Sequence, residues 1–318
     1  MEYAKGARRI KMKKALSIVI SFIFLFLFCS CSQGQEQSKK INIVAIGFAE
    51  YDFTRQIIKD SDRANVDLLI QDGVDIHSYQ PSAKDIASIV SADLLIYTGG
   101  ESDYWVQEVI DNNALNDSMS ILCLSGVIED RLLKIDEHHN EYDEHIYLSL
   151  KNAKEFVTAI SKEIISLDKT NEQLYQNNTN QYLKSISELD DEYTQSLKNF
   201  ENKEVVFADR FAFRYLFNDY NLDYCAAFEG CGAESEVSFD TVTHLAKCID
   251  KNNLKNILIL ENSNDQLAKT VIDSTKSKSA SVLQINSMQS VTNLQQSYLD
   301  IMRDNLLVLL KGLDTKGE

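Results

Sequence analysis

The 318-residue sequence has a single proline, Pro81, and only 11 glycines. That is too little turn chemistry for a low-complexity chain or a β-sandwich, and it favours regular helices joined by short loops. Basic residues are outnumbered, 32 Lys and Arg against 48 Asp and Glu, for a formal charge of −16. Such a balance opposes nucleic acid or anionic lipid headgroups as partners. It suits a cationic ligand, although a strongly negative charge also simply solubilises. No C-x-x-C pair is present, which removes a zinc knuckle or a thioredoxin-like site. Nor is there a G-x-S-x-G elbow, a Walker loop or an H-E-x-x-H helix, and Gly99-Gly100 belongs to no G-x-G-x-x-G fingerprint. No nucleophile–base pair can be read, so the sequence does not read as an enzyme. The single tryptophan, Trp105, reads with the Tyr and Phe complement as core rather than as a stacking platform.

What is present begins with a leader. Arg8, Arg9, Lys11, Lys13 and Lys14 precede the apolar stretch Ala15 to Phe28, which as a helix covers about 21 Å, short of a membrane span. A basic start and a short apolar core read as a secretory signal over 1–30, with Met12 as an alternative start. The stretch Leu27-Phe28-Cys29-Ser30-Cys31 resembles a bacterial lipobox, with Cys31 as the lipidated residue and 31–40 as the linker. Phe28 and Cys29 stand where that motif usually carries smaller aliphatic residues. Residues 1–30 hold six basic residues and one acidic, a surplus of five, so taking them from −16 leaves −21 for the chain from Cys31. Cys123, Cys225, Cys231 and Cys248 remain after the leader. In an exported chain a disulfide is permitted; Cys225 and Cys231 are close enough in sequence to pair, and unpaired buried thiols are the alternative.

Beyond the linker, short apolar runs alternate with helical patterns. Stretches 41–46, 66–70, 93–97 and 120–124 read as strands, with helices near 53–59, 83–90 and 104–111. Such alternation implies a parallel sheet covered on both faces. Residues 150–167 carry Ala153, Phe156, Val157, Ile160 and Ile164 at helical spacing. From 170 to 200 there is neither glycine nor proline, and Leu174, Leu183, Ile186, Leu189, Tyr193 and Leu197 form one stripe on a long, half-exposed helix. The alternation then resumes, with strands at 204–209, 222–227, 256–261 and 281–286 and helices near 210–219, 239–252, 265–276 and 290–310. The expected architecture is α/β: two parallel-sheet lobes, 41–168 and 202–318, joined by a long helix over 169–201.

There are only five histidines: His77, His138, His139, His145 and His244. His77 follows a predicted strand and His145 precedes a long helix, in loops where a lone histidine is most often a surface residue. Neutral imidazole is nonetheless the commonest metal ligand. The segment Asp136-Glu137-His138-His139-Asn140-Glu141-Tyr142-Asp143-Glu144-His145 packs three histidines and five carboxylates into ten residues, a compositional metal signal as well as a solvated acidic loop. Asp209 ends one predicted strand and Asp265 follows another. Open α/β sheets place ligands beyond the carboxyl ends of their strands, where His77, Asp209 and Asp265 all fall. Asp265 equally suits a helix cap. His244, inside a predicted helix, reads as an ordinary helix residue.

Two stretches resemble the metal-binding lipoprotein receptors of zinc and manganese ABC importers. Gly73-Val74-Asp75-Ile76-His77-Ser78-Tyr79-Gln80-Pro81-Ser82-Ala83-Lys84-Asp85 looks like that family's G-x-D-P-H-x-(F/Y)-x-P-x-x-x-D, and Asp143-Glu144-His145-Ile146-Tyr147-Leu148-Ser149 is similar to its D-x-H-(V/I)-W-L-(D/S). The resemblance covers about 41–311, and the acidic His-rich loop looks like that of the zinc branch. It implies a rigid interlobe helix with the metal between the lobes, His77 and His145 as first-lobe ligands, and His138 and His139 as an accessory capture loop. Asp265 resembles the fourth-ligand aspartate of manganese-type members. The third ligand, a histidine or glutamate in the family, should fall near Phe207-Ala208-Asp209-Arg210-Phe211, where neither is present. Asp209 is the candidate there; Arg210 has no lone pair to offer. The implied role is a monomeric receptor, held to the membrane only by a lipid, that carries zinc to the importer's permease. A manganese or iron receptor of the same fold is the alternative, and so is a surface adhesion or interaction module with a degenerate site.

Overall fold

A computed structural model describes residues 40–71, 73–135, 141–230 and 237–315. The leader, Cys31, His138, His139 and Cys231 lie outside the described residues. In chain order come β1 (Ile41–Ala45), α1 (Phe48–Ile57), β2 (Ala64–Leu68), α2 (Ala83–Val90), β3 (Leu94–Tyr97), α3 (Tyr104–Asn112) and β4 (Ser120–Cys123). Two long helices follow, α4 (Leu150–Leu167) and α5 (Glu172–Leu197). The second half holds β5 (Glu204–Arg210), α6 (Arg214–Tyr220), β6 (Asp223–Phe228), α7 (Phe239–Asn252), β7 (Asn256–Leu260), α8 (Gln266–Ser274), β8 (Ser281–Ile285) and α9 (Tyr298–Gly312).

The strands form two four-stranded sheets, ordered β2-β1-β3-β4 and β6-β5-β7-β8, and every pairing is parallel. The order is the same in both: the chain steps out from the first strand to the second, then returns past the first to the third. That reversal opens a crevice at the carboxyl ends of the strands, between β1 and β3 and between β5 and β7. Strand periodicity sorts the side chains. Ile43 of β1, Val205 and Phe207 of β5 and Leu258 and Leu260 of β7 enter one core shared with α1, α4, α5 and α9. Val44 of β1 faces a satellite cluster on the first sheet, while Val206, Ile257 and Ile259 face another on the second, as a period of two requires.

Helix α5, 26 residues long, spans about 39 Å and ties both halves together. Its buried face is Tyr175, Thr179, Tyr182, Ile186, Leu189, Tyr193 and Leu197. At the amino end the predicted stripe is displaced: tyrosines fill the interface and Leu174 and Leu183 sit at its edge. Those tyrosines bring hydroxyls that hydrogen-bond across it. Tyr182 Oη donates to Asp52 of α1 at 3.1 Å, and Tyr193 Oη donates to the Met302 carbonyl of α9. The same Asp52 carboxylate accepts the Tyr298 backbone N–H at 3.0 Å, at the N-terminus of α9, where a negative charge is favoured. One buried carboxylate thus joins α1, α5 and α9.

Two departures from the sequence reading bear on function. The helix expected over 290–310 begins only at Tyr298, because Ser297 and Asp300 form a capping box there. Residues 286–297 are thereby left to run over the crevice. The disulfide joins Cys225 of β6 to Cys248 of α7, not Cys225 to Cys231; α7 lies against β6 and brings its cysteine to the strand. Cys123 is a free thiol. Among the described residues no helix is long and apolar enough to cross a membrane.

Candidate metal centre

His77 sits in the 3₁₀ turn Ile76–Ser78, which follows β2. Asp75 caps that turn, accepting the His77 N–H at 3.0 Å, and the Ile76 N–H donates to the Gln289 carbonyl at 3.2 Å. His145 stands immediately before the 3₁₀ turn Ile146–Leu148, which leads into α4. The structure brings the two imidazoles together, with ring centroids 5.7 Å apart. Glu144 joins them: one ligand atom each from His77, Glu144 and His145 lie within 4.8 Å of one another.

Each donor is aimed by a partner. Asp143, 2 % exposed, faces His145 Nδ1 at 2.9 Å and accepts the His145 N–H at 2.8 Å. A carboxylate on Nδ1 holds the proton there and leaves Nε2 with the lone pair, the arrangement that makes histidine a metal ligand. Glu144 Oε1 lies 3.1 Å from His77 Nδ1. Ser102 clamps the same carboxylate, donating from its hydroxyl at 2.6 Å and from its N–H at 2.8 Å. Burial pushes Glu144 up, but the hydrogen bond from His77, the attraction of the His145 and His77 rings when they are protonated, and the hydrogen bond from Ser102 outweigh it, holding the carboxyl at about 2. It is therefore an anion, ready to meet a cation.

The glycine pair after β3 makes room for this clamp. A Cβ on Gly100 would lie 2.3 Å from the Glu144 side chain, and Gly99 has φ +83°, which favours glycine. Asp103 gathers their N–H groups, at 3.0 Å from Gly99 and 2.8 Å from Gly100. Burial above all, with Glu50 and Glu144 near, pushes Asp103 up to about 7 despite those bonds.

The two aspartates expected from the second lobe are elsewhere. Asp209 lies where β5 and β6 shift register between Phe207 and Arg210. Its carboxylate accepts the N–H of Leu260 at 3.0 Å and of Arg210 at 2.9 Å, so it fastens β5 to β7. Asp265 precedes α8, and its side chain, 46 % exposed, pairs with Lys269 at 2.8 Å. Neither belongs to the donor cluster. What the second lobe extends across the crevice is Arg210, whose Nη2 lies 3.1 Å from Asp75 Oδ2, and Gln289, whose Nε2 meets His145 Nε2. The Gln289 loop is held by Glu261, which accepts Ser287 N–H and Oγ–H at 2.7 Å and Gln289 N–H at 3.2 Å.

Sequence reasoning did not single out Glu144, Ser102 or Gln289. Glu144 sits beside His145 in a recognised motif, where an ionisable residue next to a ligand was the available signal. Gln289 adjoined a segment read as helix, and the Ser297–Asp300 capping box was the signal that would have freed it.

Residues 43–312 match the family described as ZnuA, zinc-uptake complex component A, periplasmic. The chain is 30% identical over 293 residues to the zinc-binding lipoprotein AdcA of Streptococcus pneumoniae, covering 87% of this chain and 57% of that protein. The chain thus spans little more than half of AdcA. It is 27% identical to the high-affinity zinc uptake system protein ZnuA of Bacillus subtilis, over 87% of this chain and 89% of that one. The crystal structure of the Zn(II)-bound ZnuA-like domain of Streptococcus pneumoniae AdcA superposes with a TM-score of 0.72 at 28% identity, covering 87% of this chain and all of that one. With more than four-fifths of its length inside the match, the chain belongs to the ZnuA family.

Proposed function

We propose that the protein is the extracytoplasmic receptor of a zinc ABC importer, taking the ion between its lobes and passing it to the permease. The observation that carries this reading is the convergence of His77, His145 and Glu144 at the carboxyl ends of the first sheet's strands, in a chain of the ZnuA family. Two neutral imidazoles and one carboxylate form an N₂O set, which zinc accepts with a fourth position for water or a further oxygen. The protein is a carrier whose donors bind and release the ion. Asp143 orients His145, and Ser102 orients Glu144. Gln289, on the lone-pair side of His145, is displaced or turned when the ion arrives.

The remaining parts follow the same logic. Cys31 carries the lipid that holds a monomeric receptor at the membrane, and His138 and His139 form an accessory loop that raises the local concentration of zinc. Asp209 and Asp265 serve the fold rather than the ion.

The decisive experiment strips the protein of metal, reloads it, and measures stoichiometry and competitive affinity for zinc and manganese. One tight equivalent of zinc, preferred over manganese and lost in His77→Ala, is expected. A preference for manganese would overturn the choice of metal. No stoichiometric metal of either kind would overturn the receptor and favour an interaction module.

A further inference from the structure

A second set of donors lies on the second lobe, away from the strand ends. Cys225 is on β6, while His244 and Cys248 stand four residues apart on α7, one above the other on the same face of the helix. Their Sγ and ring nitrogen atoms lie within 4.8 Å of one another. Cys225 and Cys248 are joined as a disulfide and nearly buried, at 8 % and 6 % exposure, whereas His244 is exposed. His244 Nε2 is 3.7 Å from Cys248 Sγ. Tetrahedral zinc, with Zn–S of about 2.3 Å and Zn–N of about 2.0 Å, sets its sulfur and nitrogen ligands roughly 3.6 Å apart. The histidine therefore already stands at the separation that a shared zinc imposes.

We propose that Cys225, His244 and Cys248 form a redox-gated zinc site, closed as the disulfide and opened by reduction. A dithiol reductant supplies two electrons and two protons, gives two thiols, and leaves as its own disulfide. Zinc then displaces both thiol protons and binds two thiolates and the His244 lone pair, with water in the fourth position. The sulfurs must part to about 3.7 Å, a movement within reach of side-chain rotation on two different elements. Charge favours the product. Two thiolates and one Zn²⁺ sum to zero, so the neutral complex is compatible with the apolar wall of Val206, Val242, Leu245 and Ile249 behind it. Histidine at the rim gives the ion an entry path, and opening of the disulfide couples zinc held here to the redox state outside the cell. The site is independent of the crevice and goes beyond the receptor reading.

The test counts zinc bound to the purified full chain, with Cys123 and Cys231 changed to serine, before and after treatment with an immobilised phosphine. One further equivalent on reduction is expected, with a thiolate-to-metal charge-transfer band when cobalt(II) replaces zinc. His244→Ala, an exposed change that leaves the disulfide intact, should weaken that equivalent at least tenfold, and Cys225→Ser/Cys248→Ser should abolish it. In His77→Ala the gain on reduction should persist, so failure of the crevice site is told apart from failure of this one. If reduction loosens the lobe, zinc should restore its melting transition in the parent and not in His244→Ala. No gain on reduction, or a gain and a rescue indifferent to His244, overturns the proposal.

Discussion

The two lobes share a strand order and differ in what stands at their strand ends. In the first, the loops after β2 and before α4 present His77, Glu144 and His145 to one point. In the second, the equivalent ends present a guanidinium and an amide, Arg210 and Gln289, each meeting the opposite lobe. A repeated topology fixes where a ligand can sit, at the reversal of strand order, but not what chemistry is placed there. On the function proposed, capture belongs to one lobe and covering to the other. Asp209 shows how the second lobe spends a carboxylate on itself: with Phe207 opposite Leu258 in the ladder, its side chain takes the Leu260 N–H two residues on.

The largest effects should follow from damage to the capturing lobe. His77→Ala and His145→Ala are each expected to weaken zinc binding on the order of 100-fold or more, since changes even to groups behind a ligand cost about 10–100-fold. Chelator competition on the purified variants measures it. Glu144→Gln should come next, at roughly 10–100-fold, because it removes an anionic oxygen and disturbs the bond to His77. If Asp209→Asn or Asp265→Asn cost as much as these, capture is shared between the lobes and the contrast fails.

The contrast can also be sharpened by giving the second lobe a ligand. Gln289→Glu keeps the length and shape of the side chain that meets His145 and replaces a donor amide by an anionic oxygen. Zinc affinity should rise about tenfold, readable in the same competition assay. A fall would mean that the added charge draws His145 into an ion pair instead.

Much of this is legible in the amino-acid sequence. The alternation of apolar runs gave both sheets, because parallel strands are buried on both faces, and the glycine-free stretch gave α5. His77 and His145 stood out because each sits in a long motif with its own turn chemistry, Asp75 capping one turn and Ser149 capping α4 behind the other. The second lobe was read less well. Asp209 looked like a ligand because a carboxylate at a strand end serves equally to bind a cation or to accept an N–H; where β5 shifts register it accepts the N–H groups of Leu260 and Arg210. Asp265 posed the same ambiguity and pairs with its own helix through Lys269. Pairing of the cysteines depends on how α7 packs on β6, which is tertiary and has no local signal.

The smallest effect is expected at Arg210, and it probes the covering role most directly. Its ion pair with Asp75 is part-exposed, at 28 % and 33 % for the two side chains, so its contribution to stability should be no more than about 1 kcal/mol. Its charge matters in another way. A guanidinium beside the turn that carries His77 repels an incoming cation and neutralises Asp75, which would otherwise attract one. Arg210→Gln removes the repulsion and frees the carboxylate, and both changes act in the same direction, so zinc should bind a few-fold more tightly. Because the groups are partly solvated, the gain should shrink as ionic strength rises past about 0.1 M, where the screening length falls to about 10 Å. Zinc titrations of parent and variant at low and high salt check both the sign and the trend. A loss of affinity that salt does not alter would instead mean that Arg210 shapes the crevice through the fit of its side chain, and that the second lobe takes part in capture after all.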